Sequence, residues 1–270
     1  MKLILIHISF LLVSILYASD PILEDLNLNF VKGKNVKGIK IWKVNTNNHD
    51  DQLMVRHIKF DQKGSVDRIE EFVYDNAELI KTKYAFVYKY NKQKQLDQIV
   101  CQMDGTPYKF IRQFYNGSYL IRQVHFQTKT SFDYVEGYDY YPDGKVSRSY
   151  INKVPSKLMI SRLHKYSSTG LLEQVIVKQN KIASQNWFYT YSKDQENILI
   201  KDIQGNKIGH KVTKYYDEDR IYFVEESNLN KYEKIEFEYY QNQLLKIIRR
   251  YNSPGKLAQY YYELEYEFFD

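Results

Sequence analysis

The residues able to do chemistry are sparse and scattered. Past the first twenty residues the histidines are His49, His57, His125, His164 and His210, each standing alone. None is spaced from a second His or Cys as a zinc site requires. His125 and His164 lie on strand-like runs and read as ordinary surface or edge histidines; lining a groove, if a sheet curled around them, is the lesser alternative. Cys101, the single cysteine, sits in "QIVCQMD" among apolar neighbours and reads as a buried, inert thiol. The acidic pairs Glu70-Glu71, Asp217 with Asp219, and Glu225-Glu226 keep strand faces or turns solvated. No Gly-x-Ser-x-Gly, phosphate loop or His-Glu-x-x-His pattern occurs. The expectation is a protein that is not an enzyme and uses neither cofactor nor metal.

The elements carrying these residues are announced by tyrosine, of which there are 27 in 270 residues. Tyr90, Tyr115, Tyr141, Tyr166, Tyr191, Tyr216, Tyr240 and Tyr266 follow one another in steps of 24 to 26, each just before a polar cluster or the chain end. A fixed period of this size marks a repeat architecture. Within each unit aromatic and polar residues alternate, a turn rich in Gly, Asn, Asp or Ser follows, and a branched apolar pair such as Leu171 and Val175 comes next. Alternation with intervening turn chemistry specifies strands paired as hairpins.

The fold class is therefore all-β, with hairpins of about 25 residues in an extended, curled antiparallel sheet of some 16 to 18 strands. A closed antiparallel β-barrel is the alternative. Within 232–240, Glu233, Ile235, Phe237 and Tyr239 take one face and Lys234, Glu236 and Glu238 the other. The candidate binding face consists of Tyr90, Tyr115, Tyr141, Tyr166, Trp187, Tyr191, Tyr216 and Tyr240. Such rings either cover the sheet or stand exposed to a glycan or protein partner.

"YDYYPDGKV" at 138–146, "KYSSTGL" at 165–171 and "RYNSPGKL" at 250–257 resemble the YD or RHS repeat, with its Tyr-x-Tyr-Asp-x-x-Gly-x-Leu phrase. The resemblance covers roughly 56–266 and implies hairpins stacked into a curling sheet. It departs from the pattern where Asn91, Pro142, Ser167, Ser192 and Gln241 replace the Asp, and where the glycine is missing from the units at 90, 191, 216 and 240. The encapsulating role of the family's large members does not carry over to so short a chain.

"MKLILIHISFLLVSILYASD" places Lys2 before an apolar run and small residues Ala18 and Ser19, as in a secretory signal peptide. The expected division is 1–19 signal peptide, 20–51 N-terminal cap and 52–270 hairpin array. Without Lys2 there are 38 basic and 33 acidic residues, a mild +5 that does not call for nucleic acid. The expected role is a non-enzymatic binding or interaction module of the bacterial envelope or secretome, whether secreted, periplasmic or on the cell surface. An outer-membrane β-barrel is the alternative, and only there does a membrane enter as partner.

Overall fold

A computed structural model describes residues 28–269 except 32, 75–79, 128–130, 155, 218–219 and 229–230. The expected leader at 1–19 lies outside the described residues. After a short 3₁₀ turn at Leu28–Val31 the first strands are β1 (Val36–Asn45), β2 (Gln52–Phe60), β3 (Val66–Tyr74), β4 (Ile80–Tyr90), β5 (Leu96–Met103) and β6 (Thr106–Asn116). Then come β7 (Tyr119–Phe126), β8 (Phe132–Tyr140), β9 (Val146–Lys153), β10 (Leu158–Tyr166), β11 (Leu172–Gln179) and β12 (Ile182–Tyr191). The last six are β13 (Gln195–Asp202), β14 (Lys207–Tyr215), β15 (Ile221–Asn228), β16 (Lys231–Tyr239), β17 (Leu245–Ser253) and β18 (Lys256–Phe268).

Every strand pairs antiparallel with its sequence neighbours, and β1 pairs with both β2 and β18. The 18 strands thus form one ring, the closed form of the all-β hairpin array. Closure is where the extended-sheet expectation is corrected. An open array would leave two long edges with unpaired backbone groups, and ring closure removes both. The strand that completes the ring, β1, comes from the segment read as a cap.

Paired residues share a face, so the ladders sort the side chains into two sets. Ile41, Arg56, Glu71 and Tyr84 form one continuous row, and Lys40, His57, Glu70 and Ala85 another. The first set is the crowded, concave one: Ile39, Ile41, Ile58, Cys101 and Ile248 are at most 1% exposed. It faces the interior. On the outward set, Phe114, Arg122 and Phe188 stand in solvent.

Ile39, Ile41, Ile58, Ile248, Tyr262 and Leu264 pack together at the seam where first and last strands meet, joined by Leu28 and Val31 of the 3₁₀ turn. Outside the same seam, Lys40 bridges Glu265 and Glu267 at 3.2 and 3.1 Å, while Lys59, Arg68 and Lys83 surround Glu70 at 2.8–3.1 Å. Against the penalty of burial, Lys83 and Lys59 hold the Glu70 carboxyl at about 2.

The 25-residue period has a concrete cause. Each even strand ends at one rim, where most of the turns carry a register shift characteristic of a β-bulge. At the bulge a residue takes positive φ: Gly64, Gly144 and Gly170 at 77–86°, with Lys94 at 62° and Gln243 at 69° where the glycine is missing. Asp61, the residue opening its turn, accepts the backbone N–H of Ser65 at 2.8 Å. Asn91 and Ser167 accept the equivalent N–H at 2.9 and 3.0 Å. Asn91 and Ser167, two of the replacements for the repeat's Asp, thus keep its hydrogen bond.

A tyrosine at the end of an even strand also donates its hydroxyl to a carbonyl at the start of the preceding odd strand. The bonds run from Tyr90 to Val66 (2.6 Å), Tyr115 to Leu96 (3.0 Å), Tyr140 to Leu120 (2.7 Å) and Tyr166 to Val146 (3.1 Å). Tyr239 to Ile221 (3.1 Å) and Tyr266 to Leu245 (2.5 Å) complete the set. These six bonds each staple a hairpin to the one before it.

Candidate functional site

The staples account for part of the tyrosine series. Tyr90, Tyr115 and Tyr166 tie the rim. At three units the strand-final residue is Tyr140, Tyr215 or Tyr239, so Tyr141, Tyr216 and Tyr240 stand one position later, in the turns. Tyr141 donates to the His164 carbonyl at 3.0 Å and meets Tyr166 edge-on. Tyr216 is 54% exposed against Tyr222 and Tyr239, and Tyr240 is 41% exposed against Tyr266. Tyr191 is 39% exposed at the end of β12. The candidate aromatics therefore lie along one rim, except Trp187, which points inward.

The interior holds a second set of polar groups, on β6 to β12. Gln113 donates to Gln123 at 3.0 Å, Gln123 reaches the Tyr138 hydroxyl at 3.4 Å, and Tyr138 donates to Glu136 at 2.9 Å. Cross-strand pairing sets this row, since Gln113 faces Gln123, Gln123 faces Glu136, and Ile111 faces His125. Beside it His125 stacks on Tyr134 with ring centroids 3.9 Å apart and planes at 19°. His125, Tyr134 and Glu136 are 2–4% exposed. The two His125 nitrogens, the Tyr134 hydroxyl and Glu136 Oε1 have no hydrogen-bond partner among the described residues, and His125 Nε2 lies 3.7 Å from Glu136 Oε1.

The arc continues through Arg162 and His164 of β10. Arg162 lies 5.9 Å from the Trp187 ring centroid, and His164 shares a 3.2 Å hydrogen bond with Ser149. Trp187, Arg162, His164, Tyr138 and Tyr189 are half-buried, so they border accessible space. Burial lowers His125 to about 3 and His164 to about 4, aided by Lys109 and Arg162 respectively. Both are neutral near pH 7. Burial raises the Glu136 carboxyl, opposed by Tyr138 and Arg162. Neutral imidazoles, amides, phenols, one carboxyl and one guanidinium supply both donors and acceptors beside aromatic rings. That mixture suits a polyhydroxylated ligand.

His125 and His164, expected as ordinary surface or edge histidines with groove-lining the lesser alternative, both turn inward, and Tyr134, Glu136, Gln113 and Gln123 were not singled out. Their signal is polar residues on the otherwise apolar face of an alternating strand, which registers only once the inward face is known. Arg112 shares the outward face with Phe110 and Phe114, while Arg162 goes inward with Ile160. Cys101 is buried, and desolvation pushes its thiol up to about 12. No group of three or more His, Cys, Asp or Glu suited to a metal occurs among the described residues.

No family model matches the chain, and no curated protein matches it. Among solved structures, a porin-like protein from Bacteroides uniformis ATCC 8492 is similar at TM-score 0.47 and 8% identity, covering 87% of this chain and 96% of that one. A porin-like protein from Bacteroides vulgatus ATCC 8482 is similar at TM-score 0.30 and 9% identity, covering 86% and 98%. TcdB2-TccC3 is similar at TM-score 0.34 and 11% identity over 85% of this chain and 15% of that one. The likeness is one of all-β architecture.

Proposed function

We propose that this chain is a non-enzymatic binding module of the bacterial envelope or secretome: a closed array of degenerate YD-type hairpins with a water-facing outer wall and a ligand chamber inside. The observation that carries this reading is the division between the two faces. Lys40, Lys59, Lys83, Arg112 and Arg122 are outward, with Glu236, Glu238, Glu263 and Glu265 among them. Aliphatic and aromatic residues are more numerous inside, and those that share the outward face, such as Phe110, Phe114, Leu163, Ile176 and Phe188, stand among these charges. An outer wall of this composition is solvated by water. The chamber ligand is a glycan or sugar-like molecule, because stacked rings beside neutral donor and acceptor groups match the two faces and the hydroxyl rim of a pyranose.

A second reading, an outer-membrane barrel, is favoured by closure itself, since a spanning sheet must have no free edge. In lipid each outward Lys or Arg near the midplane would cost about 2–4 kcal/mol. The test is expression of residues 20–270 in detergent-free buffer, followed by size exclusion and far-UV circular dichroism. A monodisperse β-rich species is expected. Folding only in detergent or lipid would overturn the water-facing wall and leave the outer-membrane barrel.

A further inference from the structure

At the rim opposite the tyrosine staples, three successive hairpin tips repeat one pattern. The β9–β10 tip presents Val154 between Lys153 and Lys157. The β11–β12 tip presents Ile182 with Lys178 and Lys181, and the β13–β14 tip presents Ile203 between Lys201 and Lys207. Val154, Ile182 and Ile203 are 43%, 73% and 56% exposed. None of the six lysines has an acidic partner among the described residues. The only acid in the three segments, Asp202, is occupied by Asn206, whose backbone N–H and side chain donate to it at 2.8 and 2.9 Å.

The tips are held in place. Asn180 and Lys181 take φ of 48° and 74°, the left-handed pair of a tight hairpin turn. Asn180 is tied to β10 of the preceding hairpin by two bonds with Met159, at 2.7 and 2.8 Å. Consecutive tips lie roughly 10 Å apart, two strand spacings. The wall above them has the same sign: residues 146–215 carry 12 basic and 4 acidic side chains. Tips elsewhere on the rim are different, with Asp50 and Asp51 between β1 and β2 and Asp104 between β5 and β6.

We infer that this part of the rim docks on an anionic lipid bilayer, with Val154, Ile182 and Ile203 entering the headgroup region and the six lysines meeting lipid phosphates. Charge complementarity selects an anionic partner, and the exposed aliphatic tips select a bilayer over a soluble polyanion, which offers them nothing apolar. The acid-rich strands β15–β18 of a second copy fit less well. Their Glu236 and Glu238 are already paired with Lys234, Lys246 and Arg249 at 2.8–3.3 Å.

This inference rests on the water-facing wall, and one experiment separates the two. Purified residues 20–270 are floated with vesicles of phosphatidylcholine alone or of phosphatidylcholine mixed with the anionic phosphatidylglycerol. Binding to the anionic vesicles alone is expected, falling at least tenfold from 0.1 to 0.5 M salt. Ile182→Ser with Ile203→Ser should weaken it about tenfold or more, and Lys153→Gln with Lys181→Gln and Lys207→Gln at least as much; all five positions are exposed, so circular dichroism should not change. A soluble protein that ignores anionic vesicles overturns the docking site alone. Serine variants that bind as well as the parent, while the glutamine variant and added polyphosphate abolish binding, assign the surface to a soluble polyanion and overturn it too. A chain that folds only in detergent overturns both readings.

Discussion

The hydroxyl staples give the fold its sharpest test. Tyr140, Tyr166 and Tyr239 donate to the carbonyls of Leu120, Val146 and Ile221, and their rings are half-buried. Replacing each with Phe keeps the ring and removes only the bond. The loss per site is about 1 kcal/mol, the net worth of a neutral hydrogen bond, rising toward 2 where the carbonyl cannot recover water. Tyr140 sits at the upper end, since its bond is 2.7 Å and Leu120 is only 8% exposed. The three sites lie on separate hairpins and should add, for a total of about 3–5 kcal/mol against a whole stability of about 5–15. In Tm that is about 6–20 °C for a chain of this size, using about 2–4 °C per kcal/mol. Tyr222→Phe, an exposed phenol with ring contacts only, is the control and should shift nothing. The assay is urea unfolding followed by circular dichroism, comparing single and triple variants. A triple variant within 0.5 kcal/mol of the parent would refute the staple and leave ring packing as the sole reason for the tyrosine period.

Lys94→Gly and Gln243→Gly should each stabilise by about 0.5–1 kcal/mol, because both residues occupy the left-handed region that glycine enters without penalty; their denaturation midpoints check this. Ile41→Ala, at 0% exposure in the seam, should cost about 2–5 kcal/mol and raise hydrogen exchange first in β1 and β18. His125 has a folded pKa lowered to about 3, so the unfolded chain takes up its proton first as pH falls below about 6.5, and folding stability drops from there toward pH 3. From pH 6.5 to 5 the loss is about 2 kcal/mol from this residue, and His125→Gln should remove most of it in unfolding curves at the two pH values. With Trp42 changed to Phe, the emission of Trp187 should shift on adding oligosaccharides and stay unmoved if Arg162 is also changed to Ala; an unresponsive Trp187 across neutral and acidic glycans would count against the chamber.

Much of this architecture could be read before any coordinates. The alternation in 232–240 assigned Ile235, Phe237 and Tyr239 to one face and Lys234, Glu236 and Glu238 to the other, as the ladder places them. Turn chemistry is local, so the Pro-Asp-Gly and Ser-Thr-Gly clusters located their hairpins. The register of the period was less legible. Adjacent tyrosines at 140–141, 215–216 and 239–240 offer two choices each, and only the bulge and the hydroxyl's acceptor distinguish the strand-final residue from the one opening the turn.

By itself the sequence determined that the chain is all-β and built of hairpins with a 25-residue period, because strand alternation and turn preference are properties of neighbours along the chain. Tertiary structure decided that the array closes and that β1 from the supposed cap closes it. It also decided that the apolar face turns inward with His125, Tyr134 and Glu136, and that three lysine-flanked tips share one rim. Those outcomes depend on contacts such as Ile41 with Leu264, more than two hundred residues apart, and on the sign of a sheet's curvature, which no local pattern encodes.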